Sequence, residues 1–346
     1  MADKYIVVRL GSLGDVILTT GVLNYWNKTM QSRFIMVTRA SFADVFLNNP
    51  CIDKIIPVYS ENLTPGGWLR FCQCLRKSYS SMDVIDLHGN IRTALLKRIW
   101  PEKVHSYPKM SFIRRLYSVV KHEQLKNRLL EKNIPQRYSS ALPGIKPDQS
   151  ELVPRIFLSK AEILQAEQCI KRLDSGRETV CIHPYATHKA KTWPKDKWKH
   201  LVNLLEKNRL GWIIIGQSSQ ALFPGNPRDL TGRTSIRETG AILSKCSVLV
   251  SADSGPIHLA AGVNTPVVGL FGPTSREWGF YPAGRDDVII EPDLKCRPCS
   301  LHGKAMVKCR ERCMDMLQPE QILSALKKIL DRKSSARNDY VPAKHY

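Results

Sequence analysis

The chain consists of two successive series of short apolar strands that alternate with helix-patterned segments, and one proline-rich stretch separates the two series. That stretch, LPGIKPDQSELVP at 142–154, is predicted to link two domains. Strands are predicted over 5–10, 33–37, 54–58 and 82–87 in the first series, and over 179–183, 211–215, 247–251 and 266–271 in the second. Strands that alternate with helices are typical of parallel, doubly wound sheets, so the sequence predicts α/β architecture in both halves.

Length and composition agree with two packed domains. The chain has 346 residues, of which 43% are hydrophobic, and this content excludes wholesale disorder. No run approaches the ~18 apolar residues of a membrane span, and residues 1–18 lack the features of a secretory signal and read instead as a strand and a turn. We therefore expect a cytoplasmic protein.

The charge is strongly basic, at +21, and a large share of it lies between residues 91 and 140, where twelve Lys and Arg face three Glu. The pattern of this segment is mostly helical. A basic surface of this kind indicates nucleic acid, an anionic membrane surface or a phosphorylated substrate as partner, and the alternative is a solvated surface with no specific partner.

The turn after the first predicted strand, Gly11–Asp15, is rich in glycine but does not have the G-x-G-x-x-G spacing of dinucleotide-binding turns, and the chain contains no Walker A pattern. This disfavours nicotinamide-dependent and NTPase functions. Asp15 either caps the following helix or, at the mouth of the turn, accepts a proton from a substrate hydroxyl.

A second strand-to-helix turn follows residue 252, with the sequence Asp253-Ser254-Gly255 before a helix that Pro256 can open. Small residues and free N–H groups at a helix N-terminus favour a bound phosphate, and His258 in the first turn can add a donor. The alternative is that Asp253 or Ser254 only caps the helix.

Two lysines, Lys189 and Lys191, follow the strand predicted over 179–183. At the carboxyl end of a strand, an ammonium group can neutralise a leaving phosphate. The alternative is a solvated basic loop.

Four late cysteines form a C-x2-C-x9-C-x3-C pattern, namely Cys296, Cys299, Cys309 and Cys313. Two paired thiolates can bind structural zinc, with His302 as a substitute ligand, although nine residues between the pairs is short for a zinc ribbon. Disulfides and free thiols are the alternatives.

Six motifs occur in order along the chain: GSLGDVI near the start, DLHGNIR at 86–92, HPYATHKAKTWP at 183–194, DLTGRTSI at 229–236, SADSGPIHLAA at 251–261 and GLFGPT at 269–274. Together they resemble the lipopolysaccharide heptosyltransferases, glycosyltransferase family 9, over nearly the whole chain. The resemblance implies a GT-B fold of two Rossmann-like domains that face each other across a cleft. The expected domains are an acceptor-binding domain at 1–154, a nucleotide-sugar-binding domain at 155–330 and a basic flexible tail at 331–346.

The resemblance also implies an activity: inverting transfer of heptose from ADP-heptose to the lipid A-Kdo inner core of lipopolysaccharide, with no required cofactor or metal. Asp15 would be the base, and Lys191 would support the diphosphate. The implied donor-binding residues are Thr187, Lys189, Asp253, Ser254, Gly255, His258 and Thr274. The implied acceptor-binding residues are Ser12, Gly14, His88, Arg92, Arg114 and Arg115.

The expected partners are the donor, a phosphorylated lipid-linked acceptor and the cytoplasmic face of the inner membrane, with a peripheral monomer as the working form and no nucleic acid. One loop departs from the family pattern: residues 216–220, GQSSQ, replace an acidic residue that often faces the nucleoside. The alternatives are therefore a related transferase with another nucleotide sugar, a basic nucleic-acid-binding protein and a catalytically silent binding module.

Overall fold

The computed structural model describes residues 3–100, 103–144, 146–173, 178–301 and 312–338. They divide into two compact units, each built on a parallel five-stranded sheet. The first unit comprises Met1–Glu162, Ala261–Val263 and Ser275–Ala283, and the second comprises Ile163–Ala260, Asn264–Thr274 and Gly284–Tyr346. The predicted α/β architecture is confirmed in both halves.

The first unit alternates strands and helices up to residue 106 and is helical afterwards. Its strands are β1 (Lys4–Val8), β2 (Arg33–Arg39), β3 (Ile52–Val58), β4 (Asp83–Asp86) and β5 (Val104–Ser106). Its α-helices are α1 (Leu13–Met30), α2 (Pro65–Ser78), α3 (Ile91–Ile99), α4 (Ser111–Val120), α5 (Glu123–Leu130) and α6 (Ile134–Ser139). Short 3-10 helices lie at Ala40–Phe46, Ser60–Leu63, Gln149–Leu152 and Arg276–Trp278.

The second unit continues this alternation to the end of the described chain. Its strands are β6 (Thr179–His183), β7 (Gly211–Ile214), β8 (Val248–Ala252), β9 (Val267–Leu270) and β10 (Val288–Ile290). Its α-helices are α7 (Lys160–Leu173), α8 (Lys195–Lys207), α9 (Ile236–Lys245), α10 (Gly255–Gly262), α11 (Arg312–Asp315) and α12 (Pro319–Asn338), and a 3-10 helix lies at Lys189–Lys191. Helix α7 begins in the first unit.

The two sheets differ in strand order. The first sheet has the order β3-β2-β1-β4-β5, and the second has β10-β9-β8-β6-β7. Their central strands are buried on both faces by helices, which explains the nearly continuous apolar runs in the sequence. All strands are parallel, but in each sheet the chain adds successive strands first on one side of its starting strand and then on the other. We call the gap between the two neighbouring strands where this change occurs the reversal point; it lies between β1 and β4 in the first sheet and between β6 and β8 in the second.

Each unit has its own apolar core. In the first, Ile6, Val8 and Val37 pack with Trp68 and Leu96. In the second, Trp193 and Trp198 meet edge to face with ring centroids 4.8 Å apart. The Trp193 indole donates to the Leu317 carbonyl oxygen at 3.1 Å, and this bond ties the loop after β6 to the C-terminal helices.

Three differences from the sequence prediction have simple causes. Strands β5 and β10 were not predicted, because three-residue edge strands are too short to show a period. One of the helix-patterned segments of the first series forms a 3-10 helix, Ala40–Phe46, in place of an α-helix. Helix α12 continues to Asn338 and so includes residues 331–338, which were expected to belong to a flexible tail; residues 339–346 lie outside the described part of the chain. In the described ranges no helix has both the length and the apolar character needed to cross a membrane.

Candidate functional site

The first candidate site lies where the first sheet reverses direction. Asp15 follows β1 in the first turn of α1, and His88 follows β4, the neighbouring strand. In open α/β sheets, ligands bind beyond the carboxyl ends of the strands at this reversal, because the two loops diverge and leave a crevice. The topology thus brings together two residues that the sequence predicted as site residues.

Arg9, Ser12 and Tyr138 hold the Asp15 carboxylate. Its Oδ2 pairs with Arg9 Nη2 at 2.6 Å and accepts from the Ser12 hydroxyl at 3.0 Å, while its Oδ1 accepts from the Tyr138 hydroxyl at 2.7 Å. The Asp15 side chain is 17% exposed, so a substrate hydroxyl can still reach it. A carboxylate that is oriented in this way can accept a proton from a substrate hydroxyl.

Tyr138 and His88 are both neutral neighbours of this carboxylate. Burial, together with the nearby Asp15 charge, raises the pKa of Tyr138 well above its ordinary value, so the hydroxyl stays protonated and donates. Burial and the positive charges of Arg9 and Lys109 lower the pKa of His88 to about 4. The imidazole Nδ1 is buried and has no hydrogen-bond partner among the described residues.

Positive charge exceeds negative charge around Asp15. The pKa of Lys109 is lowered by burial and then by Arg9 and Arg114, and the pKa of Arg114 is lowered chiefly by burial. Arg137 is fully buried, and burial followed by the Arg114 charge lowers its pKa to about 10. Cations that depress each other's pKa values are stabilised when an anion binds between them. We call Arg9, Asp15, His88, Lys109, Arg114 and Tyr138 the first site.

The remaining predicted acceptor residues lie at or beyond the edge of the first site. Gly14 is in the first turn of α1, next to Asp15. Arg92 donates to the Leu63 carbonyl oxygen at 3.1 Å, and Arg115 is exposed on α4. Asp86 is 2% exposed, and its Oδ1 accepts from the backbone N–H groups of residues 88 and 89 at 2.9 Å, so it shapes the turn that carries His88.

The second candidate site lies at the corresponding reversal of the second sheet. At the end of β6, His183 Nδ1 lies 3.1 Å from the hydroxyls of Ser251 and Ser254, which belong to β8 and to the turn after it. Burial lowers the pKa of His183 to about 4, so the imidazole is neutral. Gly216 after β7 has φ +124, and a Cβ there would lie 2.7 Å from the His183 ring, so only glycine fits beside this histidine.

Lys191, the residue predicted to support the diphosphate, meets two predicted donor-binding residues, Asp253 and Thr274, at the second site. Lys191 Nζ pairs with Asp253 Oδ2 at 2.6 Å, and the Thr274 hydroxyl donates to the same oxygen at 2.6 Å. The side chains of Lys191 and Asp253 are 15% and 13% exposed, so the pair is screened from bulk water but can be reached. The arrangement fixes one ammonium group beside the N-terminus of α10, where the helix dipole also favours an anion.

The other predicted donor residues lie around this group. Gly255 begins α10, and His258 on the same helix is 5% exposed. Thr187 and Lys189 are exposed on the loop after β6, which also carries Lys191. We call His183, Lys191, Asp253, Ser254 and Thr274 the second site.

The late cysteine segment packs beside this site. Arg297, within the cysteine motif, donates to the carbonyl oxygens of Gly272 at 2.6 Å and Thr274 at 2.9 Å, and the Cys299 backbone N–H donates to Pro273 at 3.1 Å. Cys309 and His302 lie outside the described residues. Among the residues that are described, no group of three or more side chains could hold a metal ion, so the structural-zinc prediction for Cys296, Cys299, Cys309 and Cys313 receives no support.

Sequence reasoning missed Arg9, Lys109 and Tyr138 of the first site, and it missed His183 of the second site and Arg297 beside it. Arg9 interrupts an apolar strand, and this charge is a signal that could have been followed. Tyr138 reaches Asp15 across 123 positions of sequence, and no local pattern reveals it. Arg297 lies between two cysteines, which drew attention to metal binding and away from its hydrogen bonds to the Thr274 loop.

Comparison with known proteins agrees with the motifs. The family model of glycosyltransferase family 9 (heptosyltransferase) matches residues 68–309. Lipopolysaccharide heptosyltransferase 1 of Pseudomonas aeruginosa is 26% identical over 330 residues, which cover 86% of this chain and 86% of that protein.

Two solved structures have the same fold as this chain. A family 9 glycosyl transferase from Veillonella parvula has a TM-score of 0.73 at 18% identity and covers 95% of this chain and 97% of its own. The E. coli ADP-heptose lps heptosyltransferase II has a TM-score of 0.72 at 18% identity, with coverage of 96% and 99%. The GT-B class predicted from the sequence, with two Rossmann-like domains, is confirmed.

The family model spans more than half of the chain, and both sites contain residues of the motifs that carried the resemblance. This chain belongs to glycosyltransferase family 9, the heptosyltransferases, and is a glycosyltransferase enzyme.

Proposed function

We propose that the protein is an inverting heptosyltransferase that moves heptose from ADP-heptose to the inner core of lipopolysaccharide, with a lipid A-Kdo acceptor. The observation that carries the proposal is the composition of the first site. One carboxylate lies at a strand-end crevice among cations that outnumber it. A phosphorylated sugar with a reacting hydroxyl needs both features.

In the proposed reaction Asp15 is the base. The acceptor oxygen forms a bond to the anomeric carbon of the donor as the bond to the diphosphate breaks, and the hydroxyl proton passes to the Asp15 carboxylate. Arg9, Ser12 and Tyr138 fix the orientation of that carboxylate, so little reorganisation is needed when the proton moves.

The leaving diphosphate is stabilised at the second site. Lys191 supplies an ammonium group, and the N-terminus of α10 adds partial positive charge and free N–H groups. Asp253 and Thr274 fix the position of Lys191 before the donor binds. These groups can perform the charge neutralisation that a divalent metal ion performs in other transferases, so we propose that the transfer requires no metal and no cofactor.

We assign the acceptor to the first domain, predicted at 1–154, and the nucleotide sugar to the second, predicted at 155–330. In the first, His88, Lys109 and Arg114 meet the phosphates and acidic sugars of the acceptor, and each ionic hydrogen bond contributes about 1.5 to 3 kcal/mol. In the second, Ser254, Gly255 and His258 contact the donor.

We also propose that the protein works at the cytoplasmic face of the inner membrane as a peripheral monomer. The acceptor is lipid-linked, and the basic segment at 91–140 matches the charge of an anionic lipid surface.

The test is release of ADP from ADP-heptose by the purified protein. We expect release only when a lipid A-Kdo acceptor is present, at a rate that excess EDTA does not change. No release with both substrates, or strict dependence on added Mg²⁺ or Mn²⁺, would contradict the proposal.

A different nucleotide sugar is the second candidate for the donor. It is favoured by the loop after β7, where Gln217 donates to the Thr234 carbonyl oxygen at 3.1 Å in place of an acidic residue that would face the nucleoside. Competition between ADP-heptose and UDP- or GDP-linked sugars in the same assay distinguishes the two candidates. A preference of kcat/KM for a sugar on another base would replace ADP-heptose as the donor.

A further inference from the structure

Helix α4 presents apolar side chains to solvent, the reverse of an ordinary surface helix. Phe112 is 76% exposed, Val119 78%, Val120 55% and Leu116 38%. Leu116, Val119 and Val120 lie four, seven and eight positions after Phe112, which places all four on one stripe of the helix. A continuous exposed apolar stripe of this kind marks an interaction surface.

The orientation of this stripe is fixed by the other side of the helix. Tyr117 is 4% exposed, its hydroxyl donates to Glu277 Oε1 at 3.3 Å, and its ring meets Trp278 edge to face at 6.2 Å. Arg114 is also held, since it donates to the Lys109 carbonyl oxygen at 3.3 Å. The helix therefore cannot turn its apolar stripe inward without breaking these contacts.

A further exposed apolar residue lies beside the start of α4. Ile91, the first residue of α3, is 96% exposed. Lys109, two residues before α4, donates to the Gly89 carbonyl oxygen at 3.0 Å and so holds the starts of the two helices side by side. We call Ile91, Phe112, Leu116, Val119 and Val120 the docking face.

Positive charge surrounds the docking face. Arg115 is exposed on α4, Lys97 and Arg98 are exposed on α3, and Lys121 follows the last turn of α4 with its Nζ 5.0 Å from the Tyr117 ring centre. Apolar side chains bordered by lysine and arginine suit a lipid surface, where acyl chains lie beneath anionic headgroups. A second copy of the chain would bring the same positive charge against this face, which disfavours self-association.

We propose that the docking face inserts into the surface of an anionic bilayer, with α4 lying in the headgroup region. The choice of a membrane as the partner rests on the proposed function, in which the acceptor is lipid-linked. Arg114 lies on the same helix and faces the first site. Docking through α4 therefore brings the first site next to the membrane from which the acceptor is drawn.

The test compares three forms of the full chain in co-sedimentation with vesicles of phosphatidylethanolamine and phosphatidylglycerol. The double variant F112S/V119S removes two exposed side chains of the docking face, and L164S removes an apolar side chain that is 56% exposed on α7. We expect F112S/V119S to bind about tenfold more weakly or worse than wild type, and L164S to bind like wild type. Equal binding by all three forms, or no binding by wild type, would overturn the proposal.

Transfer assays separate this proposal from the proposed function. F112S/V119S should transfer sugar to a deacylated, water-soluble acceptor at the wild-type rate but transfer poorly to an acceptor embedded in vesicles. If wild type transfers nothing from ADP-heptose, the proposed function fails, while the vesicle result still decides the docking face. Sedimentation velocity supplies a further check, because a wild-type dimer that F112S/V119S dissociates would make the face a self-association interface and overturn the proposal.

Discussion

The two sheets differ in strand order, but each has its candidate site at the point where the strand order reverses. The two sites differ in charge balance, because the first has an excess of positive charge and the second has a matched ion pair. In the first site, Arg9, Lys109 and Arg114 exceed the single Asp15 carboxylate. In the second site, Lys191 is matched one to one by Asp253. The sheet topology determines where a ligand binds, and the side chains at the reversal determine which ligand it is.

This difference assigns separate tasks to the two sites. An excess of buried positive charge favours a ligand with several negative groups, which fits a phosphorylated acceptor. A preorganised ion pair beside a helix N-terminus is suited to charge that grows during the reaction, because its position is fixed in advance. Variants that act on one site and spare the other test the comparison.

The largest effect is expected from Asp15→Asn, which removes the base. We expect kcat to fall by about 10²- to 10⁴-fold with little change in donor KM. Because Arg9 is buried and loses its charged partner, the variant also unfolds more easily, so turnover is measured per folded enzyme at a temperature well below the unfolding transition. Near-normal turnover would show that Asp15 serves as a helix cap.

Lys191→Met tests the second site. The ammonium charge acts on the diphosphate in the ground state and more strongly in the transition state, so we expect kcat/KM to fall by about 10²- to 10³-fold, with weaker donor binding. Lys195→Met, which removes an exposed lysine of α8, is the matched control and should retain wild-type kinetics. Equal kinetics for the two variants would show that the Lys191–Asp253 pair only stabilises the loop and does not act on the diphosphate.

The pH dependence of stability tests the burial of the second site. His183 has a pKa of about 4 in the folded chain, against an ordinary value of 6.5, so the unfolded chain binds more protons between these values. The free energy of unfolding should therefore fall as pH drops from 6.5 to 4, by up to about 3 kcal/mol from this group.

His183→Asn is the comparison for that titration, because it keeps a hydrogen-bonding group near Ser251 and Ser254 but cannot be protonated. In this variant the slope of unfolding free energy against pH should be smaller than in wild type. Some slope should remain, because His88 has a similarly lowered pKa and contributes in the same direction. An unchanged slope in urea unfolding between pH 6.5 and 4 would contradict the account of His183.

Arg114→Gln tests the excess charge of the first site and has the smallest expected effect. Loss of one ionic contact should raise the acceptor KM by about tenfold or more and leave the donor KM unchanged. Arg70→Gln on α2 removes an exposed arginine from the same unit and is the matched control. If donor KM rises instead, Arg114 does not belong to an acceptor site.

The sequence predicted most of the strands because local patterns of apolar residues and turn residues define them. The strand predicted over 179–183 has the same bounds as β6, since a short apolar run bounded by polar segments defines it. It could not predict the sheet orders, because strand pairing depends on contacts between distant residues. The three-residue edge strands β5 and β10 left no period to detect.

Likewise, local sequence patterns predicted some residues of the candidate sites and missed others. Asp15, Lys191 and Asp253 lie in strand-end turns, where local pattern and family motifs both mark them. Tyr138 and Arg297 act through hydrogen bonds to residues distant in sequence, Asp15 and Thr274, and only the folded chain shows these bonds. Arg114 and Arg115 are neighbours in one basic run, and helix geometry turns Arg114 toward the first site and leaves Arg115 exposed.

Calorimetric titration of ADP-heptose into wild type, Asp15→Asn and Lys191→Met tests most directly the central claim, which is that the second site holds the donor and the first supplies the base. We predict that Asp15→Asn binds the donor within about threefold of wild type while turning over poorly, and that Lys191→Met binds it about tenfold more weakly or worse. Loss of donor affinity in Asp15→Asn as large as that in Lys191→Met would contradict the division of tasks between the two sites.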